Sequence, residues 1–299
     1  MSKPNPNSHE IEIIRDIEYG TARIDYNGGD GPMRTRALLL DLYRPLDVHS
    51  PLPTLVLAFG GAFHRGSKEN DVRPEDGPKN TAIAEYCARF ARRGYLCCSI
   101  DYRLTPEDPD PGNTPTLGDE PVPTSRIDVV RELLGLPPAT SEMLKCAQEA
   151  AIDDMVSAFR FVVADAAALG ADPRRVAIGG FSAGARMAAT AALAERISPA
   201  AVVAMSGVAA PSIIDRFHAS GRPYMPIFLA YGENDLDYVI PGARSMLERL
   251  TAVGHPHESA FLPGQTHFYP ANAAVVASHA APASLEEAMA GFLSRHLDG

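Results

Sequence analysis

Tryptophan is absent from the 299 residues, cysteine is scarce and basic residues are in the minority. No apolar stretch approaches the ~18 residues of a membrane-spanning helix, so no membrane partner is expected. The opening MSKPNPNSHEIEI has no apolar core behind its single lysine. A secretory signal is therefore not expected, and a cytoplasmic location is. Cys87, Cys97, Cys98 and Cys146 form no CxxC pair. With Cys97–Cys98 inside an apolar run, buried free thiols are expected. HExxH, P-loop and GxGxxG patterns are missing as well, so neither a metal nor a nucleotide cofactor is expected. Lys and Arg number 27 against 37 Asp and Glu, a net charge of −10. That sign opposes a phosphate backbone or an anionic membrane surface, and nucleic acid is not an expected partner.

Proline, by contrast, is abundant, with 26 residues against a usual share of about 5%. Eight of them (106, 109, 111, 115, 121, 123, 137 and 138) crowd into residues 105–138. A long irregular stretch inside a compact domain is usually a lid or binding loop, and proline restrains it at small entropic cost. Residues 105–146 are thus expected to form a lid insertion, with an amphipathic piece at Ile127–Leu136. A surface insertion without order is the alternative. Residues 207–224 offer room for a second cap element.

Elsewhere strand and helix signals alternate. Residues 11–18 and 36–43 read as strands around the turn-rich Asn27–Pro32. Further strands are expected at Thr54–Phe59, Tyr95–Ile100, Arg175–Gly179, Ala200–Met205, Pro226–Tyr231 and Ser259–Leu262. Helical spacing marks Thr81–Arg92, Ala147–Leu169 with Gly170 as its stop, Ala183–Arg196, and stretches near 242–253 and 284–296. Short apolar strands separated by helices describe a mostly parallel sheet covered on both faces. The expectation is one α/β domain over residues 1–299, edged by an N-terminal antiparallel hairpin.

Between one such strand and helix lies Gly179-Gly180-Phe181-Ser182-Ala183-Gly184-Ala185. A GxSxG sequence alone is weak evidence, and a glycine-rich turn capped by serine would share it. Its place between strand and helix gives it meaning. There a serine can sit on a strained turn with its hydroxyl exposed, and Gly180 and Gly184 leave room for close backbone approach. The N–H of Ala183 then points into the same space. Phe59-Gly60-Gly61-Ala62-Phe63 follows another strand, where Gly61 and Ala62 can supply further donors to an oxyanion.

A nucleophilic serine needs a base and an orienting acid. His9, His49, His279 and His296 lie near termini or in polar contexts. His64 flanks the turn at Gly61 and His218 sits between strands, positions that suit packing or solvated roles, while His255 and His257 precede the last strand in a Gly/Pro-rich turn. His267, just after the Ser259–Leu262 strand, is the expected base. Asp235, in Gly232-Glu233-Asn234-Asp235-Leu236-Asp237, is the expected acid, with Asp237 and Glu233 as alternatives. All these segments follow the C-terminal ends of parallel strands, which emerge along one edge of a sheet. The order Ser, acid, His is that of α/β-hydrolases.

The chain resembles the α/β-hydrolase superfamily, and within it the carboxylesterase and hormone-sensitive-lipase-like branch. Asp101-Tyr102-Arg103-Leu104-Thr105-Pro106-Glu107 is similar to that branch's DYRLAPE. Residues 171–184 are similar to its GxDPxRIxxxGxSAGG, and Gly232–Asp235 to its GxxD loop. Two positions depart: the branch's HGGG is Phe59-Gly60-Gly61-Ala62, and the last glycine of SAGG is Ala185. The resemblance implies a serine carboxylester hydrolase acting on small soluble esters, with Ser182, Asp235 and His267 as triad and Gly61, Ala62 and Ala183 as oxyanion hole. An amidase or peptidase would use the same groups. A non-catalytic hydrolase-fold binding protein would usually lack the Ser or the His. The partner expected is a small-molecule ester, and a homo-oligomer is compatible with the sequence.

Overall fold

The computed structural model describes residues 8–28, 32–48, 51–72, 79–112, 115–118, 122, 124–279 and 282–298. The N-terminal stretch 1–7, part of the Asn27–Pro32 turn, His49, Pro121 and Pro123 lie outside the described residues. Among the described residues, nine strands form one sheet: β1 (Ile11–Ile24), β2 (Arg34–Pro45), β3 (Leu52–Ala58), β4 (Leu96–Ile100), β5 (Ala171–Phe181), β6 (Ala201–Met205), β7 (Ile227–Asn234), β8 (His257–Thr266) and β9 (Val276–Ala277). Their order is β1-β2-β4-β3-β5-β6-β7-β8-β9. The run from β4 to β8 is parallel, while β1, β2 and β9 pair antiparallel at the two edges.

Burial explains the sequence patterns. β3, β4 and β6 are buried at every position, as strands covered by helices on both faces must be. β1 has one face in solvent and alternates accordingly. It also carries register shifts near Ile14–Ile17, with Asp16 at φ 56°, so the hairpin edge is bent rather than flat. The four cysteines are free and buried, and burial pushes the thiols of Cys87, Cys97, Cys98 and Cys146 up.

The helices are α1 (Ile83–Ala91), α2 (Ser125–Leu133), α3 (Ser141–Ala164), α4 (Ala166–Leu169), α5 (Ala183–Ala194), α6 (Pro211–Ala219), α7 (Val239–Ala252) and α8 (Leu285–Leu297). Several expected bounds need correction: the strand at 11–18 runs to Ile24, and that at Arg175–Gly179 runs from Ala171 to Phe181. The helix expected from Ala147 begins at Ser141, because the Thr140 side chain accepts the N–H of Met143 as an N-cap. It also breaks at Asp165 before the short α4, whose stop is Gly170 at φ 83°. The strand expected at Ser259–Leu262 runs from His257 to Thr266, and β9 adds an edge partner that its two residues gave no pattern to detect. Within residues 105–146 the structure holds a 3-10 turn at Thr105–Glu107 and α2, and within 207–224 it holds α6. Among the described residues, no helix is long and apolar enough to cross a membrane.

The DYRLTPE stretch is a structural knot at the end of β4. Tyr102 donates its hydroxyl to the Phe59 carbonyl at 3.0 Å and stacks on the Phe59 ring, fixing the start of the turn after β3. Arg103 forms a buried ion pair with Asp154 of α3 at 2.8 Å. Its guanidinium also donates to the carbonyls of Ala150 and Asp110, so few of its donors go unused.

Candidate active site

Sterics build the site from the floor upward. β5 ends at Phe181 and α5 begins at Ala183, so Ser182 takes the whole reversal with φ 55° and ψ −115°. Such a backbone costs a non-glycine residue about 1–3 kcal/mol and persists only where the surroundings impose it. They do. A Cβ on Gly180 would stand 2.4 Å from the Ala58 carbonyl oxygen, and one on Gly184 2.1 Å from the same atom. β3 and the elbow are therefore in backbone contact. As the first residue of α5, Ala183 has an N–H without an intrahelical acceptor.

Two other strand ends bring their residues to this point. Ser182 donates its hydroxyl to His267 Nε2 at 2.8 Å, and His267 Nδ1–H donates to Asp235 Oδ1 at 2.6 Å. His267 follows directly on β8 and Asp235 on β7. The Asp235 carboxylate is fully buried. Its partners besides the imidazole are the N–H groups of Leu236 (2.8 Å) and Gly232 (3.2 Å) and the Ser206 hydroxyl. Ser206 in turn meets the Tyr269 hydroxyl at 2.7 Å. Burial beside the Asp235 charge pushes the Tyr269 phenol well above its ordinary value, so it stays a neutral hydrogen-bonding group. Ser206 and Tyr269 gave no sequence signal, because their roles exist only through contacts across the fold.

The alternatives are engaged elsewhere. Asp237 is exposed and accepts from Ser125 at 3.2 Å, and Glu233 accepts the Gly264 N–H at 2.7 Å. His218 and His255 face each other at 3.3 Å in a separate aromatic cluster. His257 bonds to the carbonyl of His255, His9 pairs with Asp47, and His296 lies 3.7 Å from Glu258.

The turn after β3 carries Gly61 at φ 139°, Ala62 at φ 56° and Phe63 at φ 58°. A Cβ at Gly61 would fall 1.9 Å from the Arg65 carbonyl oxygen, so only glycine fits. The turn is pinned from below by Asp71, whose carboxylate accepts from Gly60 N–H at 3.0 Å and from Ile83 N–H of α1 at 2.9 Å. From above it is pinned by the buried His64. Arg131 of α2 donates to His64 Nε2 at 3.1 Å, which leaves Nδ1–H to donate to the Ala62 carbonyl at 2.7 Å. This arrangement keeps the imidazole neutral, and burial lowers its affinity for a second proton.

α2 roofs the site. Ile127 and Val130 pack with Ala62 and Leu144, and Ile127 lines a cavity of ≈ 40 Å³ beside Ser182 with Phe63, Val208 and Tyr238. A second cavity of ≈ 10 Å³ lies between Gly61, Ser182 and His267. The outer face of α2 leaves Val129, Leu133 and Leu134 exposed.

Residues 139–274, which contain Ser182, Asp235 and His267, match the phospholipase/carboxylesterase family model. Solved structures resemble most of the chain. Esterase 2 of Thermogutta terrifontis, phosphorylated by paraoxon, superposes with a TM-score of 0.57 at 18% identity, over 97% of this chain and 94% of that one. The fold is that of an α/β-hydrolase. Esterase B of Lactobacillus rhamnosus shares this α/β-hydrolase fold with a TM-score of 0.53 at 17% identity, over 85% and 75% of the two chains. An ester-hydrolase from the Lake Arreo metagenome does so with 0.51 at 21% identity, over 89% and 77%. No curated protein sequence matches the chain.

Proposed function

We propose that the protein is a serine esterase that hydrolyses small soluble carboxylic esters through an acyl-enzyme on Ser182. The observation that carries this reading is the unbroken row Ser182–His267–Asp235, at 2.8 and 2.6 Å, under an apolar roof. His267 takes the Ser182 proton as the hydroxyl oxygen attacks the ester carbonyl, and the buried Asp235 carboxylate stabilises the imidazolium that results. The carbonyl oxygen gains negative charge and is received by the N–H groups of Gly61, Ala62 and Ala183, each donor being worth roughly 10²–10³ in rate. His267 returns the proton to the departing alcohol. A water then attacks the acyl carbon with His267 again as base, releasing the acid and restoring Ser182.

The esterases among the solved structures and the phospholipase/carboxylesterase family match support this reading. The ≈ 40 Å³ cavity favours short acyl groups over lipid chains. The DYRLTPE stretch and its structural role favour the hormone-sensitive-lipase-like branch. Residues 105–146 act as a cap in this account, with Ile127 and Val130 of α2 selecting the substrate. The test is turnover of 4-nitrophenyl acetate. Ser182→Ala loses at least about 10³-fold in kcat, with an unchanged cooperative unfolding transition. Wild-type protein without esterase activity would overturn the reading.

A further inference from the structure

Besides Ser182, the described polar side chains lining the ≈ 40 Å³ cavity are Gln148, Arg186, Ser206 and Tyr238. Ser206 is engaged by Asp235 and Tyr269. Arg186 is engaged too, donating from Nε to the side-chain amide of Gln148 at 3.0 Å. A guanidinium only donates, so the Gln148 atom it meets is the oxygen, and the two N–H donors lie on the far side of the amide. Gln148, on α3, is 3% exposed and borders the cavity. Tyr238 stands just before α7, and burial pushes its phenol up to about 12, so it remains a neutral donor. Among the described residues, neither the Gln148 amide nitrogen nor the Tyr238 hydroxyl has a hydrogen-bond partner. Buried polar groups are ordinarily paired. Here two unpaired donors share one small cavity with the reacting serine, against apolar walls that include Phe63, Ile127 and Val208.

We infer that the ester substrate carries a further oxygen close to its ester group, an ether, hydroxyl or carbonyl, which accepts hydrogen bonds from the Gln148 amide nitrogen and the Tyr238 hydroxyl. This rests on the esterase reading and narrows its substrate class from plain alkyl esters to short oxygen-bearing ones. A hydrocarbon chain in the same place would leave both donors unpaired, a stronger ground for rejection than a difference in size. The oxygen can belong to the acyl part, as in esters of alkoxy, hydroxy or oxo acids, or to the alcohol part, as in esters of a diol or its ether.

Two pairs of nearly isosteric substrates separate these sources: 4-nitrophenyl methoxyacetate against 4-nitrophenyl butyrate, and 2-methoxyethyl acetate against butyl acetate. The ether oxygen also alters the intrinsic reactivity of the ester, so each ether-to-alkyl ratio of kcat/KM is compared between wild type and variant, where that effect cancels. Gln148→Glu keeps an oxygen for Arg186 and sets an acceptor where the amide nitrogen stood. In one pair it lowers the ratio about 5- to 100-fold, the range for a buried donor that loses its partner. Tyr238→Phe lowers the same ratio about 2- to 10-fold. Ratios that are unchanged in both variants for both pairs would overturn the inference. Ligand-observed NMR on the Ser182→Ala protein gives a readout independent of turnover, with methyl methoxyacetate against methyl butyrate and the two acetates as before. The ether of one pair binds about fivefold or more tightly than its alkyl partner, and adding Gln148→Glu removes the difference. Equal dissociation constants within both pairs contradict the inference. Failure of the esterase reading shows instead as absent turnover of every ester.

Discussion

The floor and the roof of the same cavity are built by opposite means. Beneath Ser182, backbone meets backbone: the elbow, the end of β3 and the turn at Gly61 leave no room for a Cβ at three glycines. Above it, α2 is held by side chains, through Ile127 and Val130 against Ala62 and through Arg131 to His64. Backbone contact dictates residue type and tolerates no substitution. Side-chain contact dictates only approximate size and polarity, so it can vary with the substrate. The contrast predicts that changes to the floor remove function, while changes to the roof redirect it.

The largest effect is expected within the row Ser182–His267–Asp235. Asp235→Asn leaves His267 with a poor partner and lowers kcat by about 10⁴-fold, whereas Asp237→Asn stays within a few-fold. Steady-state kinetics of the two variants decide it, and a larger loss at Asp237 would break the assignment. Next comes Gly184→Ala, whose Cβ would stand 2.1 Å from the Ala58 carbonyl oxygen. It should destabilise by more than about 3 kcal/mol, as strain at a special backbone does, and abolish activity. Urea unfolding reads the first and ester turnover the second.

On the roof, Ile127→Ala should cost about 2–3 kcal/mol, the low end for a buried aliphatic, because α2 borders solvent and can settle. Activity persists, with the preferred acyl group lengthened by one or more carbons. A loss as complete as that of Gly184→Ala would erase the distinction between floor and roof.

The smallest effect lies away from both. His255, buried under Tyr224 near the starts of β7 and β8, is pushed down to about 4 by burial, with His218 and His257 adding repulsion and the Met225 carbonyl opposing it. An unfolded histidine titrates near 6.5, so below that pH the unfolded chain binds the extra proton. Stability therefore falls as pH drops from 6.5 toward 4, by about 2 kcal/mol at pH 5. In His255→Gln that part of the pH slope disappears. A wild-type stability flat between pH 7 and pH 5 would contradict it.

The same contrast explains what could be read in the sequence. Ser182, Gly180, Gly184 and the succession of parallel strands were legible because sterics fix their residue types and strand ends their positions. His267 and Asp235 followed from chain order, and the structure brings them to Ser182. α2 was only partly legible: the expected Ile127–Leu136 became Ser125–Leu133, amid prolines that break local periodicity. The longer β8, the edge strand β9 and the early start of α3 depended on pairing and capping that no apolar pattern marks. Asp71, Ser206, Tyr269 and Arg186 were invisible. Each is an ordinary residue until the fold sets it against an atom far away in the chain.

The proposed function requires an activated nucleophile at Ser182. Fluorophosphonate labelling followed by peptide mass spectrometry tests it most directly. The account predicts one adduct, on Ser182, formed by wild-type protein, absent in Ser182→Ala and strongly slowed in Asp235→Asn. An unlabelled wild-type protein, or an adduct on another residue, would contradict it.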